Sequence, residues 1–283
     1  MVASAAASAL AKKYAAGEGP GLKFASLGSG SEGNALLISA DSDSTRTTRT
    51  TVMLDCGFGI RETERRLARL GLLPHELDAI LVTHEHQDHV GGVFKFARRH
   101  GIPVWLTHGT AQAVGNNSHG VAMHLCRDAE RVTIGALEVM PYTVPHDARE
   151  PVQFVLANGP CKLGVLTDAG HATPHLIAAL GGCDALMLEC NHDREMLARS
   201  VYPPSLKVRI GGAYGHLSNQ TSAEILGALD RVRLKTVVGA HLSAQNNTPA
   251  LARQALAGVV DAERTAIMIA CQQEGFSWID IVA

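Results

Sequence analysis

The chain has 283 residues, 46% of them hydrophobic and 18% charged, which is the composition of a chain that buries a core and excludes wholesale disorder. Lys and Arg total 25 against 27 Asp and Glu, a net charge of −2, so bulk charge does not drive tight nucleic-acid binding, although a local basic patch stays open. No apolar run approaches the roughly 18 residues of a membrane span, and the six cysteines show neither a CxxC pair nor framework spacing, which reads as reduced thiols in a cytoplasmic protein.

Residues 1–21 are Ala-rich, and Lys12 and Lys13 follow the Ala run instead of preceding an apolar core. That order does not fit a secretory signal and reads as a loose or helical extension outside the fold. From 22 to 283 no Pro/Gly/Ser linker and no repeat divides the sequence, so one domain is expected there. Asp41–Thr51 is a polar tip between the apolar runs Ala35–Ile38 and Val52–Leu54, the pattern of a hairpin. Further strands are expected at Leu22–Leu27, Ala79–Thr83, Val104–Thr107, Leu137–Met140, Val152–Ala157, Lys162–Thr167, Ala185–Leu188, Thr236–Gly239, Ala266–Ile269 and Phe276–Ile281. Helices are expected at Arg61–Leu70, stopped by Gly71, and at Gly92–His100, stopped by Gly101. Thr173-Pro174 and Thr248-Pro249 each open a helix with a cap and a first-turn proline, the former closed by Gly181. Thr221–Glu224 reads as a capping box for a helix to about Arg231. Strands and helices mixed throughout predict an α+β fold of layered sheet with helices outside.

The composition also contains 14 histidines, and their positions carry the chemistry. Residues 84–89 read His-Glu-His-Gln-Asp-His directly after a buried strand. Such a density of imidazole and carboxylate on one loop is a ligand set for zinc, manganese or iron. Six residues cannot enclose a metal pair, so the remaining ligands must come from distant segments. Three segments repeat one pattern, an apolar strand ending in a ligand-type side chain: His146 after Val139–Val144, Asp168 after Leu163–Thr167, and His241 after Val237–Ala240. Strand ends fix side chains rigidly, and sites form where they meet.

With these residues in hand, the sequence resembles the metallo-β-lactamase fold superfamily from Lys23 onward. His84-x-His86-x-Asp88-His89 matches that family's hallmark, and Leu54-Asp55-Cys56-Gly57 its earlier Asp motif. The resemblance implies a four-layer αββα sandwich holding two divalent transition-metal ions, zinc or manganese. It implies that His84, His86 and His146 hold one ion, that Asp88, His89 and His241 hold the other, and that Asp168 bridges them. Asp55 would not ligate but would hydrogen-bond a ligand and set its loop.

Three further elements are similar to the phosphodiesterase branches: Gly215-His216-Leu217-Ser218-Asn219 ahead of a helix, Glu189 followed by Cys190-Asn191-His192-Asp193, and the Gly/Ser turn Ser26–Asn34. Together with Tyr202–Arg209 they resemble the WalJ/YycJ-type group of single-domain exonucleases, with Cys190 standing where that group is expected to have Ala. The resemblance implies that Glu189 and His216 form a couple that protonates the leaving oxygen, beside catalytic Asp88. Ser29, Asn34, Ser218 and Asn219 are expected phosphate contacts. Lys207 and Arg209 fit either a phosphate backbone or a solvated charged face. The interval from Asp168 to His241 is too short for the extra nucleic-acid-clamping domain of ribonuclease J relatives.

The expected function is therefore a dinuclear-metal hydrolase of phosphodiester bonds acting on DNA or RNA, with no membrane partner. A small-molecule cyclic phosphodiesterase and a thioester or lactone hydrolase on the same metal core are the alternatives. The stretch after His241 reads as one helix and two strands that complete the core, which leaves little sequence for a thioesterase's substrate-binding region.

Overall fold

In a computed structural model the described residues are 21–42 and 49–283; the Ala-rich extension and the centre of the polar hairpin tip lie outside them. The strand-forming runs build two seven-stranded sheets. The first takes β1 (Leu22–Gly28), β2 (Ala35–Asp41), β3 (Arg49–Leu54), β4 (Ala79–Leu81), β5 (Val104–Leu106) and β6 (Met123–Leu125) in sequence order. The second takes β7 (Val132–Ile134), β8 (Leu137–Thr143), β9 (Val152–Asn158), β10 (Cys161–Leu166), β11 (Ala185–Glu189), β12 (Thr236–Ala240) and β13 (Ala266–Ile269), and β14 (Phe276–Ile281) returns to the first sheet beside β1. Each sheet is antiparallel where hairpins connect it and parallel where helices do: β3 to β6 in the first, β10 to β13 in the second.

The two sheets face each other over Phe24, Ile38, Val52, Leu81, Val139, Phe154, Leu163, Val165 and Val238, all buried. Helices cover both outer faces. Leu67, Val93, Phe96 and Ala97 pack under Ile80 and Val104 on the first sheet, and Leu176, Leu180, Ile225, Leu226 and Leu256 pack on Leu186, Leu188 and Val237 of the second. The result is the αββα sandwich, and it explains why β2 and β11 are buried along their whole length instead of alternating.

The predicted helices form with small shifts, as Ile60–Arg69, Val93–His100, Pro174–Leu180 and Pro249–Ala257. Thr173 and Thr248 accept the capping hydrogen bonds expected of them, from the amides of Leu176 and Leu251. One boundary moves. The helix expected from Thr221 to about Arg231 runs over Asn219–Ala228, because Ser218, not Thr221, is the cap and accepts from the amide of Thr221. Strands β6 and β7 and the helices His108–Val114, Arg194–Arg199 and Pro204–Ile210 had no clear sequence signal. They are short, and β6 is exposed throughout, so neither length nor an apolar run marks it. Among the described residues no helix is long and apolar enough to cross a membrane.

Candidate active site

The parallel strands β10, β11 and β12 end at one edge of the second sheet, and their C-terminal ends deliver Asp168, Glu189 and His241 side by side. From the first sheet, β4 leads into Thr83, His84 and the short helix Gln87–Val90, which carries Asp88 and His89. Asp55 follows β3, and His146 follows β8. The backbone turns hard at these points. Four non-glycine residues have positive φ among the described residues, and three of them are Asp55 (60°), Asp168 (54°) and His241 (55°). Such conformations cost roughly 1–3 kcal/mol each and persist where surrounding contacts over-determine them. A close approach fixes the ligand loop as well: a Cβ on Gly57 would lie 2.0 Å from the carbonyl oxygen of Asp88.

The strand ends bring the expected ligand residues together. The ligand-type atoms of His84, His86 and His146 lie within 4.8 Å of one another, as do those of Asp88, His89 and His241, and those of His84, His89 and Asp168. Asp168 therefore sits between the two histidine groups. Its Oδ2 is 3.1 Å from His89 Nε2, and its Oδ1 is 3.6 Å from His241 Nε2.

The outer nitrogens are committed elsewhere, which aims the inner ones at the centre. Asp55 Oδ2 accepts from His89 Nδ1 at 2.7 Å and from the Thr83 hydroxyl at 2.8 Å. With its proton on Asp55, the Thr83 hydroxyl can only accept from His84 Nδ1, 2.9 Å away. That assignment leaves His84 Nε2 as a lone-pair nitrogen. His146 Nδ1 donates to the Gly215 carbonyl at 3.0 Å, and its Nε2 faces His86 Nδ1 at 3.2 Å. Fixing one imidazole nitrogen to a carboxylate, hydroxyl or carbonyl is how proteins orient histidines toward a metal.

Two buried atoms test whether a cation fits. His84 Nε2 has no hydrogen bond, and Asp168 Oδ2, 3.1 Å from His89 Nε2, makes none of good geometry, although neither reaches solvent. Unpaired buried polar atoms are costly, and a divalent cation is the partner that suits both a neutral imidazole and a carboxylate. Burial, then the charge of nearby His89, holds the His84 imidazole well below its usual range, so it is neutral and able to ligate. For Asp168 burial opposes ionisation, but His241 and His89 hold its carboxyl well below the usual range.

Beyond these residues, Glu189 is fully buried and His216 partly exposed. His216 Nδ1 lies 2.8 Å from Glu189 Oε1 and 3.4 Å from Asp168 Oδ1. Burial lowers the His216 imidazole, but the Glu189 carboxylate outweighs it and holds the imidazole above its ordinary value. Two residues to which the sequence assigned no role complete the site. Thr83 links Asp55 to His84, and Asn191 donates to the His241 carbonyl at 3.1 Å. Asn191 lies in the motif that follows Glu189, and Thr83 is marked only by its place directly before His84.

The expected phosphate contacts each have partners in the fold. Ser29 is buried and its hydroxyl accepts from the His241 amide at 2.9 Å. Asn34 is buried against Gly30, Asp88 and His89. Ser218 caps its helix and accepts from Arg194, and Asn219 pairs reciprocally with Asn247. All four therefore have hydrogen-bond partners within the protein, and Ser218 also lines a cavity beside His216. Arg209 is ion-paired with Asp147 at 2.6 Å, and Lys207 reaches the Ala198 carbonyl at 2.7 Å.

The family model described as a beta-lactamase superfamily domain matches residues 50–242. Exodeoxyribonuclease YycJ of Bacillus anthracis is 32% identical over 244 residues, covering 85% of this chain and 90% of that protein. Exodeoxyribonuclease WalJ of Streptococcus pneumoniae is 31% identical over 241 residues, covering 83% and 87%. Among solved structures, the metallo-beta-lactamase fold protein YhfI from Bacillus subtilis aligns with a TM-score of 0.69 at 15% identity, over 92% of this chain and 99% of that one.

Proposed function

The chain belongs to the beta-lactamase superfamily, and from that premise we propose that it is a dinuclear-metal nuclease that removes nucleotides from an end of DNA. The observation that carries this reading is the Glu189–His216 pair standing against Asp168 at the edge of the histidine cluster. Hydrolysis of a thioester or an activated ester can proceed without a proton donor to the leaving group, whereas an alkoxide leaving from a phosphodiester needs one. The names of the two relatives that share most of their length with this chain support DNA as the substrate.

In this reading His84, His86 and His146 would hold one divalent cation and Asp88, His89 and His241 a second, with Asp168, which faces both groups, completing the set. Bound there, two such cations supply Lewis acidity to a phosphoryl oxygen and lower the pKa of a water. The chain does the rest. Asp88, whose side chain is a quarter exposed, orients the attacking water and accepts its proton. Glu189 holds His216 by Nδ1, leaving Nε2 to deliver a proton to the departing oxygen. Thr83, Asp55, Asn34 and Asn191 keep the ligands from swinging out of register.

The test is digestion of end-labelled single- and double-stranded DNA and RNA with added zinc or manganese. Stepwise loss from one end of DNA is expected. Hydrolysis of thioesters or lactones with all four polymers intact would overturn the reading.

A further inference from the structure

We propose that a cavity sharing a wall with His216 is a phosphate subsite, in which Arg194 and Lys207 hold the backbone phosphate next to the scissile one on the leaving-group side. This rests on the nuclease reading above. The cavity measures about 270 Å³, and its wall includes His192, Arg194, Lys207, Ser218 and Thr221 as well as His216.

The basic side chains of this segment divide into two kinds. Arg199 pairs with Glu195 at 3.2 Å and Arg209 with Asp147 at 2.6 Å. Arg194 and Lys207, the two that line the cavity, meet no carboxylate among the described residues. Arg194 is instead held by neutral hydroxyls: its Nε donates to Ser218 Oγ at 3.1 Å and its Nη2 to Thr221 Oγ1 at 3.1 Å. Those hydroxyls are themselves fixed, 2.9 Å from each other, in the cap of the helix Asn219–Ala228. The guanidinium is thus oriented without being neutralised, and its remaining N–H groups are free for an anion. Lys207 donates one N–H to the Ala198 carbonyl and keeps two.

Three further features favour an anion. The N-terminal end of the ten-residue helix Asn219–Ala228 adds partial positive charge at Ser218. His192 is 3% exposed, and its Nδ1 is buried without a hydrogen bond. None of the residues lining the cavity is acidic. Its position supplies the polarity. His216 is tied to Glu189 through Nδ1, so Nε2 serves the departing oxygen, and a cavity against His216 receives what departs. In a polynucleotide the next anion on that side is the adjacent backbone phosphate.

Calorimetry with thymidine 3′,5′-bisphosphate tests the subsite apart from turnover. The metal-loaded wild-type chain should bind it, and Arg194→Gln/Lys207→Ala should bind about ten- to a hundredfold more weakly, as expected for losing one or two charge-assisted contacts. Arg194→Lys, which keeps the charge and loses the fork, should fall between the two, and its melting temperature reports whether the fold is intact. Equal affinity in wild type and double variant would overturn the subsite. Its placement is read from kcat/KM on the dinucleotides TpT, pTpT and TpTp. Wild type should prefer one phosphorylated form about tenfold over TpT, and the double variant should lose that preference. A preference unchanged in the variant overturns the leaving-group placement. If bisphosphate binding falls in the variant while wild type cuts no dinucleotide and no polymer, the subsite stands and the nuclease reading fails.

Discussion

Glu189 holds His216 across a 2.8 Å gap from a position with no solvent exposure. Its other oxygen accepts from the amides of Ala169 at 3.1 Å and Leu217 at 3.2 Å, so the carboxylate cannot rotate away. A buried carboxylate braced by two amides, 2.8 Å from His216 Nδ1 and 3.5 Å from His241 Nδ1, is a device for keeping the His216 imidazole protonated and in place.

If the pair delivers a proton, removing either member should cost similar turnover. His216→Ala and Glu189→Gln are each expected to lower kcat on a DNA substrate by ~10²–10⁴-fold with metal content unchanged. The double variant should lose little more, because groups acting as a unit are not additive. On bis(p-nitrophenyl) phosphate, whose phenolate leaves without help, both should approach wild type. Equal impairment on both substrates would assign the pair to positioning.

Metal content follows from the ligand geometry. Elemental analysis of the purified chain should give close to two transition-metal ions, and Asp168→Ala should lower both occupancies together, because Asp168 faces both histidine groups. One ion per chain, unaffected by that substitution, would refute the dinuclear centre.

Asp55 touches the centre only through His89 and Thr83. Asp55→Asn keeps the shape but weakens the hold on His89 Nδ1. Metal affinity should fall by about 10- to 100-fold, the usual effect of losing a group that orients a ligand. A chelator competition titration reads this directly, and unchanged affinity would remove Asp55 from the role.

Cysteine reactivity separates burial from chemistry. Burial pushes the Cys56 and Cys183 thiols up to about 11 and Cys190 up to about 12, while Cys271 is exposed. Ellman's reagent should titrate one thiol in the folded chain and all six after denaturation. Fast reaction of several thiols in the native state would contradict the packing around these residues.

Two glycines should behave in opposite ways. Gly57→Ala drives a methyl group into the Asp88 carbonyl and should lower thermal stability and metal loading together. Gly227 lies exposed in the helix Asn219–Ala228 with no atom closer than 3.6 Å to an added Cβ. Gly227→Ala should therefore add about 0.5–1 kcal/mol in denaturant melts without touching turnover.

The histidines and carboxylates that gather at the candidate centre were legible because each announces itself locally, as a dense loop at 84–89 or a polar residue ending an apolar strand. The pairing of Glu189 with His216 was legible only through the family resemblance. Ser29 and Asn34 have partners that local reading does not reach. A Gly/Ser turn looks open to a ligand, but the Ser29 hydroxyl is taken by the amide of His241, 212 residues away in sequence. Burial and long-range partners of this kind depend on how the sheets pack. The start of the helix at Asn219 escaped for a related reason. Ser218 and Thr221 are both good caps, and Ser218, already clasped by Arg194, takes the role.

The chain crosses from the first sheet to the second after β6 and returns only with β14. His84, His86, Asp88 and His89 precede that crossing, and His146, Asp168 and His241 follow it. A cation in this centre would thus be a rivet through two plates that are otherwise joined by packing, by hydrogen bonds such as those of His241 to Ser29 and Asn158 to Asp41, and by connections at their rims. A chain divided between Leu125 and Val132 would leave each fragment with an incomplete set of ligands. Metal uptake by the mixed fragments would then report the docking of one sheet on the other, independent of any substrate.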